Sequence, residues 1–337
     1  MARQPQLFDF ETHMERLTKA GDPLVKLNAL IPWENFRELF ADFRKKSEHP
    51  QGRPPYDVIL MLKILILQQM YALSDDQMEF QIRDRYSFQR FLNVSIHDNI
   101  PDAKTIWLFR EQLTEKQLDK VLFTKFEEFL VAQGFAAKQG AIIDAQIVEA
   151  PRQRNTQEEN KEIKSGQIPA DWKAKPAKLA QKDTDARWLK KNGQTYFGYK
   201  NHAVVDVRYK IIRDFTVTDA STHDSIPAPE LLRRLKEGEK VYADSAYVGP
   251  EIERAIEERK LQSFICEKGY RNRPLTAQQK RRNRSKSRIR ARIEHVFGRC
   301  TQMATDFIRC IGNVRARARI GLSNLAYNMD RYVYLAE

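Results

Sequence analysis

The hydrophobic pattern of this chain changes once, at Gly140, from helix-like to strand-like, and that change restricts the folds open to it. Residues 1–135 read as a series of helices. Pro54-Pro55 opens an apolar helix over 58–73, with prolines where a first turn tolerates them. Ser74-Asp75-Asp76-Gln77 has the pattern of a capping box, so a second helix starts almost at once and runs to about Arg85. A further start falls at Asp102, ahead of Thr105-Ile106-Trp107-Leu108-Phe109-Arg110. After Gly140, residues 141–148 form a strand. Residues 199–207 and 209–217, parted by little more than Arg208, form an antiparallel hairpin. A helix over 228–235, a strand over 240–244, a helix over 251–259 and a strand over 262–266 follow. The order predicts a mixed α/β domain over 136–337 after a helical domain over 1–135. Between the first strand and the hairpin, 151–192 is polar and lysine-rich, with few apolar positions beyond Trp172 and Trp188. It reads as a basic insertion or mobile loop whose tryptophans either stack on unpaired bases or pack on the domain.

Charge narrows the partner. The chain holds 58 Lys and Arg against 45 Asp and Glu, a net +13, which points to a polyanion. Residues 271–292 alone carry ten Lys or Arg and no acid, irregular around Arg273-Pro274 and helical from near Ser285. In the helical half Arg83, Arg85, Arg90, Lys104 and Arg110 fit either a helix-turn-helix-like DNA-binding module or a plain bundle with solvated charges. Cys266, Cys300 and Cys310 form no metal-spaced pair and read as reduced, mostly buried thiols of a cytoplasmic protein. Met1-Ala2-Arg3-Gln4-Pro5 has no apolar leader. The run over 58–73 is short and broken by Lys63, Gln68 and Gln69, so no membrane association is expected.

Three acids look placed. Asp144 ends Ile142-Ile143-Asp144, Asp244 ends Val241-Tyr242-Ala243-Asp244, and Glu294 lies one turn beyond Arg290 in Arg290-Ala291-Arg292-Ile293-Glu294. Strand alternation puts Ile142, Asp144 and Gln146 on one face. An aspartate among such neighbours costs free energy unless it is paired or metal-bound. Ile289, Ile293, Val296, Phe297 and Cys300 make an apolar stripe with Arg290 and Glu294 on its flank. Glu294 is then either a cleft ligand or half of an ordinary surface ion pair. Carboxylates on rigid elements in a basic chain suit divalent ions and phosphoryl transfer on DNA.

At these residues the chain resembles bacterial DDE transposases of the insertion sequence 5 group, within the larger set related to insertion sequence 4. The resemblance covers nearly the whole chain. It rests on Pro54-Pro55-Tyr56, Leu73-Ser74-Asp75-Asp76, Asp102-x-x-Thr105, Asp144, Asp244-Ser245-Ala246-Tyr247 and Arg290-x-x-x-Glu294-x-x-Phe297. The resemblance implies an RNase H-like catalytic domain and catalysis by Asp144, Asp244 and Glu294. It also implies two Mg2+ ions held by those acids, with Mn2+ able to substitute. It further implies double-stranded DNA as partner, both element ends and target, a homodimer or larger assembly on that DNA, and no small-molecule substrate. Lys200, Arg281, Arg282, Arg284, Arg288 and Arg290, with Arg83, Arg85 and Arg110, are the candidate DNA contacts. Gly198-Tyr199-Lys200-Asn201-His202 and Thr222-His223-Asp224 also resemble family segments, which makes His202, His223 and Tyr247 candidate accessory residues. The group often has tyrosine three residues before the arginine and lysine seven after the glutamate. Ser287 and Thr301 stand there instead, and no DNA-end contact is carried to them. Two other readings remain open: a non-catalytic DNA-binding descendant of such an enzyme, and a nuclease that cuts without joining.

Overall fold

The computed structural model describes residues 9–43, 54–135 and 139–336. The leader reading of residues 1–5, and position 136 where the second domain was expected to begin, lie outside them. Helices α1 (Asp9–Lys19) and α2 (Pro23–Leu30) lead through a 3-10 stretch (Trp33–Phe43) to α3 (Val58–Tyr71), α4 (Asp75–Asp84), α5 (Tyr86–Leu92), α6 (Ala103–Glu115) and α7 (Leu118–Ala132). Then come β1 (Ala141–Glu149), α8 (Gln157–Lys164), the single-turn α9 (Ala170–Lys173) and α10 (Pro176–Leu179), β2 (Arg187–Lys191), β3 (Gln194–Asp206) and β4 (Ile212–Asp219). The chain closes with α11 (Ala228–Leu232), β5 (Lys240–Tyr242), α12 (Pro250–Glu258), β6 (Gln262–Ser263), α13 (Ala277–Arg290), α14 (Ile293–Gln302) and α15 (Asn313–Leu335).

Local signals explain the helix ends. The Asp57 carboxylate accepts from the Ile59 and Leu60 N–H groups to start α3, and Ser74 with Gln77 makes both halves of the capping box of α4. Gly140 marks the change of period for a steric reason. It sits at φ 112°, and a Cβ there would lie 2.6 Å from the Lys240 carbonyl oxygen, so glycine lets β1 begin close beside β5.

The sheet is mixed, as the element order predicts. The long β3 pairs antiparallel with β1 on one edge and with β2 and then β4 on the other; β5 joins β1 in parallel, and β6 joins β5. Boundaries differ in detail. The hairpin turn spans the residues between Asp206 and Ile212 rather than Arg208 alone. The strand expected over 240–244 stops at Tyr242, because Asp244 turns to cap a short 3-10 segment over Ser245–Tyr247. β6 is two residues long, although Phe264 and Cys266 still donate to the Val241 and Ala243 carbonyls.

Segment 151–192 is not a loop. It holds α8, α9, α10 and β2, and Trp172 is fully buried with its Nε1 donating to Glu159 at 2.6 Å. The buried Asp183 accepts from the Tyr199 hydroxyl of β3, and Trp188 packs on Phe197 across the β2–β3 pair. Trp172 therefore has no face for a base. The polar composition misled because a few scattered residues, Ile163, Trp172, Asp183 and Ala186, are buried here.

Buried residues on both sides of residue 135 share a core. α3 is apolar on nearly all sides and lies at the centre, and one buried cluster joins Leu62 and Phe126 to Ile142, Phe215 and Leu322. The link is α15. Its Ser323 donates to Gln69 of α3, Asn324 exchanges hydrogen bonds with Asn201 of β3, and Asn328 pairs with both the N–H and the carbonyl of Ile212. A second cluster, with Ile143, Val204, Val241, Tyr247 and Ile252, covers the other face of the sheet. Among the described residues no single helix is long and apolar enough to cross a membrane.

Candidate active site

β1 alternates as its sequence requires. Ile142 enters the first cluster and Ile143 the second, so Asp144 faces the side of the sheet covered by α13 and α14. Two residues on, Gln146 Nε2 reaches the Phe297 carbonyl of α14 at 3.5 Å. Asp144 is mostly buried. Burial pushes its carboxyl above the ordinary range and the charge of Asp244 adds to this, against the Ala145 N–H and Arg290. Asp244 lies just past β5, where its Oδ1 accepts from the Ala246 N–H at 2.7 Å. This C-terminal end of a parallel strand is a common place for functional groups in α/β sheets.

Arg290 and Glu294 are not on one uninterrupted helix. α13 ends at Arg290, Ala291 and Arg292 keep right-handed backbone in a tightened turn, and α14 starts at Ile293. Glu294 is exposed in the first turn of α14. Arg290 Nη1 donates to Asp144 Oδ2 at 2.6 Å. Burial alone would lower the pKa of Arg290, but the charges of Asp144, Asp244 and Glu294 together raise it. Three acids far apart in sequence thus act on one guanidinium.

Tyr247 completes the cluster. It is buried, its hydroxyl has no hydrogen-bond partner among the described residues, and its pKa is pushed well up by burial and then by Asp144, Asp224 and Asp244. The donor chemistry fits a hard divalent cation: oxygen-only carboxylates beside an unsatisfied buried hydroxyl. The spacing is not closed around one point. Among the described residues no group of three or more His, Cys, Asp or Glu stands within reach of a single ion, and Arg290 holds Asp144.

The other candidates are distributed unevenly. Lys200 is buried, and its Nζ donates to Asp224 Oδ1 at 2.8 Å and to the Thr222 carbonyl at 2.7 Å, so it fixes the 222–224 turn on β3 instead of facing DNA. His202 is fully buried; its Nε2 shares a 2.9 Å hydrogen bond with Thr218, and burial pulls its pKa down to about 4. His223 is exposed, with Nδ1 on the Ser225 hydroxyl. Arg110 makes a two-point ion pair with Asp75 and is mostly shielded from solvent, while Arg83 and Arg85 are exposed. α3 and α4 meet at 102°, an angle a helix-turn-helix would use, yet α4 carries Asp75, Asp76, Glu79 and Asp84 against Arg83. An acidic helix is poorly suited to lie in a groove.

α13 is the basic element. Arg281, Arg284 and Arg288 recur at i, i+3 and i+7, are exposed, and have no ion-pair partner among the described residues. Arg282 instead pairs with Glu267. This helix starts at Ala277, eight residues before Ser285, through a capping box of Thr276 and Gln279; Thr156 and Glu159 do the same for α8. Both boxes are readable signals that mark elements placed late or missed. Cys266, Cys300 and Cys310 are free thiols, the first two buried.

Residues 136–329, more than half of the chain, match the family model described as Transposase DDE domain, and residues 11–112 match that described as Transposase domain (DUF772). A solved structure, the cryo-EM structure of piggyBac transposase synaptic complex with hairpin DNA, is similar over 91% of this chain and 74% of that one. The identity is 11% and the TM-score 0.44.

Proposed function

The chain belongs to the Transposase DDE domain family, and from that premise we propose that it cuts the ends of an insertion sequence and joins them to target DNA through Asp144, Asp244 and Glu294. The observation that supports this choice of residues is the Arg290–Asp144 contact, in a field to which Asp244 and Glu294 also contribute. An RNase H-like core belongs to the same reading. Its support is the run of antiparallel β4, β3 and β1 continuing into parallel β5 and β6, with Asp144 midway along β1 and Asp244 just past β5. Membership of the insertion sequence 5 group is the finer proposal.

In the reaction, water adds to phosphorus at the element boundary and the bridging P–O3′ bond breaks, leaving a 3′ hydroxyl. That hydroxyl then adds to a target phosphorus, whose own O3′ departs; each attacking oxygen gives up its proton to solvent. Asp144, Asp244 and Glu294 would hold two Mg2+ ions, or Mn2+, which supply Lewis-acid charge for the attacking and leaving oxygens. Arg290, once free of Asp144, can reach a phosphate oxygen. α13 would track the backbone with Arg281, Arg284 and Arg288, and the helices before residue 135 would seat the element ends. Two ends must be handled together, so a dimer or larger assembly on DNA follows.

The test is incubation of the purified chain with labelled DNA bearing its own element's ends, with and without Mg2+, beside Asp244→Ala. Mg2+-dependent cleavage at the boundary and joined products are expected, with both lost in the variant, on the order of 10⁴-fold, while DNA binding persists. Cleavage that survives in Asp244→Ala defeats the site assignment. Binding without cleavage in the unmodified chain favours a non-catalytic descendant, and cleavage without joining a nuclease.

A further inference from the structure

A cleft of about 660 Å³ opens where α4 and α6 face the start of α15, with the segment after α14 as its remaining wall. Four guanidinium groups line it, those of Arg110, Arg309, Arg315 and Arg319. Two are neutralised: Arg110 by Asp75, and Arg315 by Glu111 at 2.6 Å. Arg309 has no ion-pair partner among the described residues and lies over the Phe307 ring, 5.8 Å from its centroid. Arg319 has neither a hydrogen-bond nor an ion-pair partner for its guanidinium among the described residues. Burial, and then the like charge of Arg110, pull its pKa down to about 10 against the smaller opposing effects of Cys310 and Asp75, so it is still a cation at neutral pH. Some of its surface stays open to the cleft.

A desolvated cation with no anion in contact is destabilising, and an aliphatic or thioether side chain would pack there at less cost. The cleft is the open space that this cation faces. Its rim adds a second requirement. Trp107 and Phe307 are 45% and 44% exposed, which is apolar area that a bare inorganic anion cannot cover but a sugar or base can. The position adds a third. The Glu149 N–H donates to the Asp306 carbonyl and the Ile308 N–H to the Glu149 carbonyl, both at 2.8 Å, so the wall bearing Phe307 and Arg309 is fastened to the end of β1. Asp144 stands five residues back on the same strand, about 17 Å away.

We propose that this cleft is a second DNA-contact site, in which Arg319 and Arg309 grip a backbone phosphate and Trp107 and Phe307 cover the adjoining nucleoside. It rests on the transposase reading, because the phosphate belongs to the strand that passes Asp144. Both family-matched segments contribute, Trp107 from the first and Phe307, Arg309 and Arg319 from the second, so bound DNA would bridge them.

The test measures binding of element-end DNA to the full chain across a salt series, with thermal melting in parallel, for Arg319→Met and Arg309→Gln. Arg319→Met should weaken binding about tenfold and reduce the salt slope by about one, while Tm stays level or rises. An arginine kept for structure alone would move the other way, lowering Tm and leaving the affinity of the folded chain unchanged. Arg309→Gln, on an exposed residue, should weaken binding about threefold with no change in Tm. Wild-type affinity and slope in both variants overturn the proposal and leave the transposase reading standing. Inorganic phosphate that stabilises the wild type but not Arg319→Met, with equal DNA affinity in both, overturns the DNA assignment in favour of a small anion. A wild-type chain that binds no DNA overturns the transposase reading, and this site with it.

Discussion

Arg290 Nη1 and Asp144 Oδ2 lie 2.6 Å apart, so the arginine that ends the basic helix is bound to the acid at the middle of the first strand. That cation already meets part of the need of a mostly buried carboxylate. If the proposed function holds, a divalent ion at Asp144 would compete with it.

Arg290→Gln should then melt lower than the wild type in metal-free buffer, by about 1–3 kcal/mol, because it leaves a shielded carboxylate without its cation. Mg2+ should restore more stability to the variant than it adds to the wild type. Melting curves with and without Mg2+ give the comparison. Equal Mg2+ effects on the two proteins would show that Arg290 does not compete for the site.

Along α13 the expectation concerns salt. Arg281→Gln, Arg284→Gln and Arg288→Gln combined should reduce the slope of log K against log salt by about 2–3, since each phosphate contact accounts for about 0.9. Stability should hold, because these side chains are exposed and make no ion pair among the described residues. An unaltered slope would mean that the helix only keeps its charge in water.

His202 makes the fold sensitive to acid. Its pKa is near 4 when folded against about 6.5 unfolded, so between those values the unfolded chain takes up a proton that the folded chain refuses. The stability it contributes is complete above about pH 6.5 and is lost as pH falls toward 4, by roughly 3 kcal/mol. His202→Asn should remove most of that slope. Denaturant midpoints for both proteins at several pH values test it, and parallel curves would place the acid sensitivity elsewhere, for instance in other buried groups.

Much of this molecule was legible from its own chain. The capping signal at Ser74 and Gln77, the change of period at Gly140, and the acids closing apolar runs are all decided by residues a few positions apart, where backbone sterics and local hydrogen bonds act. The basic character of α13 is likewise a local property.

What the sequence left open depended on partners distant in the chain. Trp172 could be read as a stacking surface until Glu159, Lys178 and Lys182 closed around it. Lys200 and Arg110 looked like phosphate contacts, yet each is matched by a carboxylate, Asp224 and Asp75, that only packing brings within reach. Glu294 could be placed one turn from Arg290, but the break at Ala291 and the capture of Arg290 by Asp144 needed strand and helix assembled. Arg319 is the extreme case. In sequence it is one arginine among several near the C-terminal end, and it becomes a charge facing a cleft, with no ion-pair partner among the described residues, only once α15 lies against α3 and α6. Local sequence sets which elements form, because backbone propensity and caps are short-range. Which charges are cancelled and which stay free is set by tertiary structure, because desolvation and ion pairing depend on neighbours the chain brings together only by folding.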